Sequence, residues 1–229
     1  MKILNRIVTF LLGAAVFPAL LFRILLRAVV SVAEDSSIYK IISAFSETIQ
    51  RKMEITLSVK QAVEYWQDGK FSFGGMDFSL SKIPAEMLIT KNWLIAAAVL
   101  IVLTLIIALT IMGCALFTKA HKTVMSLSAG AILCLFASVK CFGKFAAPFV
   151  DGSIDLGALL GKSLIGDSLG FIGNLGNAAL QGAIKVDILQ LGNAVFTMGI
   201  IFFIILMWTL AYYITLPEKE RKALSNKKK

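Results

Sequence analysis

Residues 93–117 read WLIAAAVLIVLTLIIALTIMGCALF, a run with no charged side chain. Bilayer hydrocarbon is about 30 Å thick, so about 20 apolar residues in a helix suffice to cross it. This run is long enough, and Trp93 suits the boundary between lipid and water. A second uncharged run, Val195 to Leu216, carries Trp208, Tyr212 and Tyr213 toward its end, before Pro217. Two further runs are flanked by charge. Ile7–Phe22 lies behind Lys2 and Arg6, and Val124 to about Phe142 is closed by Lys140 and Lys144.

The whole chain agrees with this reading. Of its 229 residues, 58% are hydrophobic, and the mean hydropathy is +0.82. Soluble domains hold about 45–50% apolar residues, and a chain this small cannot hide such an excess in one core. Lipid is the solvent that accepts it.

The expected fold is therefore a membrane all-α, four-transmembrane-helix bundle. Helix 1 and its short cytoplasmic lead take residues 1–30, and an extracytoplasmic α/β segment takes 31–92. Helix 2 covers 93–117, a basic cytoplasmic turn 118–123, and helix 3 124–144. A Gly-rich amphipathic extracytoplasmic segment follows over 145–193, then helix 4 over 194–216 and a basic tail over 217–229. Ser31-Val32-Ala33 resembles a signal-peptidase site. Arg23 and Arg27 stand between it and the apolar run, which favours an uncleaved helix from Leu4 to Val30, kinked at Pro18.

Lys2 and Arg6, Lys119 and Lys122, and the tail residues Lys219, Arg221, Lys222, Lys227, Lys228 and Lys229 fall on one side of this layout. The positive-inside rule puts that side, and both termini, in the cytoplasm. The formal charge of +9 thus reflects orientation and anionic headgroups, not nucleic acid. Cys114, Cys134 and Cys141 lie in or beside apolar runs, and the outer segments have neither cysteine nor an Asn-x-Ser/Thr sequon. Both features fit a bacterial plasma membrane.

Within 31–92, Ile38, Ile41, Ile42, Phe45 and Ile49 recur at helical spacing, so Ser36–Arg51 reads as an amphipathic helix. Met53, Ile55, Leu57 and Val59 then alternate with polar residues, a strand signature. Phe71 and Phe73 alternate too, as do Met76, Phe78 and Leu80 beyond Gly74-Gly75, where a hairpin turn or a bulge is expected. Within 145–193, glycines punctuate an approximate helical period of leucine and isoleucine. That pattern suggests two amphipathic helices, interfacial or re-entrant.

Candidate functional residues are few. Arg23 and Arg27, and Lys140 and Lys144, are spaced i, i+4. On helices each pair shares a face, and both helices run outward. They form a candidate site for an anionic lipid or ligand, or pair with Glu34, Asp35, Asp151 or Asp155, or serve as snorkelling anchors. Ser126, Gly130, Cys134 and Ser138 recur at every fourth position of helix 3 and suit close helix packing. His121 has no acidic or cysteine neighbour at metal-ligand spacing and reads as a solvated or headgroup-facing turn residue. No catalytic, cofactor or metal set emerges.

These features favour a non-enzymatic membrane scaffold or accessory subunit. Its partners would be membrane lipids and either a second protein or another copy of itself. The alternative is a small transporter, channel or lipid-handling protein. A lipid transferase ranks last, for want of a positioned acid, base or metal. The layout resembles the claudin-type arrangement of cell-junction proteins. The first outer segment has Trp66 but not the paired cysteines of that family, so no function carries over.

Overall fold

The computed structural model describes residues 2–33, 36, 39–40, 52–60, 70–73, 76–79, 91–117, 121–155 and 182–217. Among these residues, four helices are long and apolar enough to cross a membrane. They are α1 (Lys2–Phe22), α2 (Lys91–Phe117), α3 (His121–Val150) and α4 (Asn193–Thr215). Five strands accompany them among the described residues: β1 (Ile24–Val32), β2 (Lys52–Ser58), β3 (Lys70–Phe73), β4 (Met76–Ser79) and β5 (Ile184–Leu191). The chain divides into two compact units. Met1–Arg23, Ala96–Lys140 and Asn193–Lys229 form the first, and Ile24–Ile95 with Cys141–Gly192 form the second.

The first unit is a helix bundle. Its buried positions step by three and four residues, the spacing that keeps one helical face turned inward. They are Ala97, Thr104, Ala108, Ile111 and Ala115 on α2, Val124, Ser128, Ala131, Leu135 and Ser138 on α3, and Val195, Met198, Phe202, Ile205 and Thr209 on α4. On α2 and α3 this face is made largely of small residues, while Leu103, Ile106, Leu109, Leu133 and Phe136 point outward. Large apolar side chains outside and small ones inside suit a bundle in lipid, where association comes from close packing.

Helix α1 lies directly against α4. A Cβ on Gly13 of α1 would come 2.8 Å from Met112 Cγ of α2, so glycine permits that approach. Ser138 Oγ donates to the Ala97 carbonyl at 3.2 Å and ties α3 to α2. The His121 ring meets Tyr212 with centroids 5.0 Å apart, and the Lys122 ammonium lies 5.8 Å from the Tyr213 ring centre, joining α3 to α4.

The second unit is built on a three-stranded antiparallel sheet ordered β2-β1-β5. This corrects two expectations. Helix 1 ends at Phe22 rather than Val30, and Ile24–Val32 is the central strand. Valine and isoleucine lose χ1 freedom in a helix and fit a pleated surface better. The ladders on both sides of β1 decide the matter. The segment 145–193 is also not helical throughout. Helix α3 continues to Val150, and Ile184–Leu191 is strand β5. Ile184, Val186 and Ile188 alternate with Lys185 and Asp187, a period of two.

The alternation in Lys52–Ser58 does form strand β2. Strands β3 and β4 pair antiparallel with Phe73 opposite Met76. Gly74-Gly75, most of the expected helix Ser36–Arg51, residues 156–181 and the tail from 218 lie outside the described residues.

The final turns of α3 supply the sheet's apolar support. Phe149 and Val186 are buried together, with Phe145, Ile154 and Leu189 around them. Phe142, Phe145 and Phe149 stack in tilted pairs with centroids 5.5 and 5.4 Å apart. Beyond Val150, Gly152 adopts φ +78°, a left-handed conformation suited to glycine after a helix. The Ser153 N–H donates to Asp151 Oδ1 at 2.9 Å, which lowers the Asp151 pKa below its ordinary value. Gly182, at φ +70°, donates its N–H to Asp155 Oδ2 at 2.7 Å. Asp155 and Gly182 are thereby tied to each other.

Candidate functional site

The four basic residues singled out in the sequence do different things. Arg23 is an exposed bend residue, and Arg27 lies on β1, so the two share no helix face. Arg27 instead makes a two-pronged contact with Glu54 of β2. Its Nε donates to Oε1 at 2.7 Å and its Nη2 to Oε2 at 3.1 Å. Both side chains are substantially exposed, so the pair contributes at most about 1 kcal/mol. Lys140 and Lys144 do lie one turn apart on α3. Lys140 is exposed, while the Lys144 ammonium sits 4.2 Å from the Trp93 ring centre. That is cation–π distance.

A second polar cluster crosses the sheet and was not anticipated. The β1–β5 register passes from Val29↔Ile188 to Val30↔Val186, leaving Asp187 as the extra residue of a bulge. Bulges re-aim side chains. Here the Asp187 carboxylate accepts from Ser31 Oγ at 2.8 Å and meets Lys52 Nζ at 3.4 Å. One acid thus links all three strands. The alternation of residues 184–188 was the available signal. The bulge itself depends on strand pairing and left no local trace.

The stripe Ser126, Gly130, Cys134 and Ser138 does not stay on the inward face. Ser138 is buried, Cys134 is half-buried and Ser126 is exposed. A Cβ on Gly130 would meet nothing within 4 Å. The reason is geometric: a step of four residues turns about 40° past a full helical turn, so such a stripe drifts off any fixed face. Gly130→Ala is accordingly expected to stabilise the protein by up to about 1 kcal/mol through helix propensity. Thermal unfolding in detergent measures this, and a loss of stability would show that Gly130 is a packing contact after all.

The sequence reading also missed a small cavity within the bundle, into which several polar side chains reach. Asn5, Arg6 and Thr9 of α1, Cys114 of α2, His121 of α3 and Thr209 of α4 line it, together with the apolar Ala115 and Val124. Asn5 Oδ1, Thr9 Oγ1 and Thr209 Oγ1 are buried and make no hydrogen bond within the protein. Such orphaned groups cost about 1–3 kcal/mol each. His121, expected as a solvated or headgroup-facing turn residue, is the first residue of α3 and half-buried. Asn5 and Thr9, one turn apart in an apolar run, were the available sign. Among the described residues, no group of three or more His, Cys, Asp or Glu side chains is placed to hold a metal ion. The three cysteines are half-buried and form no disulfide.

No protein family, curated protein or solved structure compared with the chain matches it.

Proposed function

We propose that the chain is a non-enzymatic, multi-pass membrane scaffold or accessory subunit. It binds a protein partner, or a second copy of itself, through the unit formed by Ile24–Ile95 and Cys141–Gly192. The observation that carries this reading is the β1–β5 ladder. It joins the segment before α2 to the segment after α3 in one sheet. If α2 and α3 both cross the bilayer, the two segments emerge on the same side. The basic residues of the termini and the short turn make that side extracytoplasmic, as in a bacterial plasma membrane.

Among the described residues of the unit, Arg27, Glu54, Ser31, Lys52 and Asp187 are joined by ion pairs and hydrogen bonds. An arrangement of this kind fixes the shape of a surface. It does not resemble a set of groups poised for proton transfer. Purification in mild detergent followed by crosslinking and native mass spectrometry tests the reading. The expected result is a homo-oligomer of the 24.9 kDa chain or a stoichiometric complex. A monodisperse monomer without crosslinked neighbours would overturn it.

A second reading, a transporter, channel or lipid-handling protein with a basic outer site, is favoured by the Lys144 ammonium held over the Trp93 ring. A proteoliposome flux or lipid-binding activity that falls when Arg23, Lys140 and Lys144 are replaced by glutamine would support it over the scaffold.

A further inference from the structure

We infer that the small cavity of the bundle is a binding site for one water molecule, held by Asn5, Thr9 and Thr209. The side chains are buried to 4%, 3% and 1% exposure, and all three line the same cavity. Asn5 Oδ1 is an acceptor, and each threonine hydroxyl can donate and accept. None of the three oxygens finds a partner in the protein. One water supplies two donors and two acceptor sites, which matches what this trio needs.

The other buried hydroxyls of the bundle show how it ordinarily satisfies such groups. Thr104 donates to the Leu100 carbonyl at 2.7 Å, Ser128 to the Val124 carbonyl at 2.9 Å, and Ser138 to Ala97 across helices at 3.2 Å. Thr9 and Thr209 use neither route. Size then selects the occupant. The cavity of about 10 Å³ is close to the minimum that holds a single water. A headgroup or metabolite does not fit. Charge selects against a cation, because Arg6 lines the cavity and no carboxylate does. The water therefore bridges α1 and α4, which lie directly against each other.

The test is water-edited solid-state NMR of the full chain in phosphatidylcholine liposomes, with isotope-labelled threonine and asparagine. Thr104 is the internal control, being fully buried with its hydroxyl bonded to the backbone. Magnetisation from water is expected to reach Thr9 and Thr209 several-fold faster than Thr104. Equal, slow build-up at all three would overturn the site. Thr209→Val should slow the build-up at Thr9 and leave Thr104 unchanged. An unaffected Thr9 would contradict a shared water. Should that variant not fold, the wild-type comparison stands alone as the test. Shifts at Thr9 and Thr209 in sodium chloride but not in choline chloride would assign the cavity to a cation and overturn the proposal.

Discussion

Gly192→Ala is expected to destabilise the protein by about 3 kcal/mol, the upper part of the range for overpacking. A Cβ at this position would fall inside contact distance of the Ile24 carbonyl oxygen and 2.8 Å from both the Ile24 carbonyl carbon and Cγ2. Two of those atoms are backbone, so no rotamer change relieves the clash. Gly192 also donates its N–H to the Leu25 carbonyl at 2.7 Å. Moving the chain away from Ile24 therefore breaks the bond that closes the β1–β5 ladder. For a chain of this length the loss corresponds to about 6–12 °C in Tm, measurable by thermal unfolding in detergent. Gly143 is the control. A Cβ there meets nothing within 4 Å, and Gly143→Ala should leave Tm unchanged or raised. An unchanged Tm for Gly192→Ala would mean that Gly192, at the end of β5, does not approach Ile24 of β1 as described.

The second large effect lies in the bundle. Phe202 is fully buried on α4, whereas its neighbour Phe203 is 56% exposed. In a soluble core, Phe→Ala costs about 3–5 kcal/mol, part transfer from water and part cavity. In lipid the surroundings of the unfolded helix are as apolar as the interior, so the transfer part largely disappears. The cavity part remains, and about 2 kcal/mol is expected for Phe202→Ala. Phe203→Ala should change stability by less than about 0.5 kcal/mol, as surface changes usually do. The ratio of the two is the informative quantity. Equal costs would mean that the inward and outward faces of α4 are not distinct.

The four helices were legible because an uncharged run of this length has few other stable environments. Their inward faces were less so. The eye follows a fixed spacing, and Ser126, Gly130, Cys134 and Ser138 offered one. The buried face follows steps of three and four instead, through Val124, Ser128, Ala131, Leu135 and Ser138. Strand β2 was legible because Met53, Ile55 and Leu57 alternate with polar residues on both sides.

Strand β1 was not legible. Ile24-Leu25-Leu26-Arg27-Ala28-Val29-Val30 is a short apolar stretch that periodicity cannot assign to helix or strand. Its state is set by partners at residues 52–58 and 184–191. Nothing near Arg27 in sequence announces Glu54. Strand β5 was partly legible, since Ile184-Lys185-Val186-Asp187-Ile188 alternates. The leucine-rich stretch before it has an approximate helical period, and that period drew the eye past the change. The cavity was hardest to see, because two of its polar residues come from one end of the sequence and Thr209 from the other. Only the antiparallel packing of α1 and α4 brings them together.

Single-cysteine labelling with a membrane-impermeant maleimide tests the account most directly, in a background with Cys114, Cys134 and Cys141 replaced. Lys52 on β2, Lys185 on β5 and Lys122 near the start of α3 are all exposed. Cysteines at 52 and 185 should label from the same side of sealed vesicles, and a cysteine at 122 only from the other. Positions in the middle of α2, such as Leu105 and Ile106, should not label from either side. Labelling of 52 and 185 from opposite sides, or reaction of the α2 positions with the aqueous reagent, would contradict a membrane-crossing bundle whose two intervening segments share one sheet.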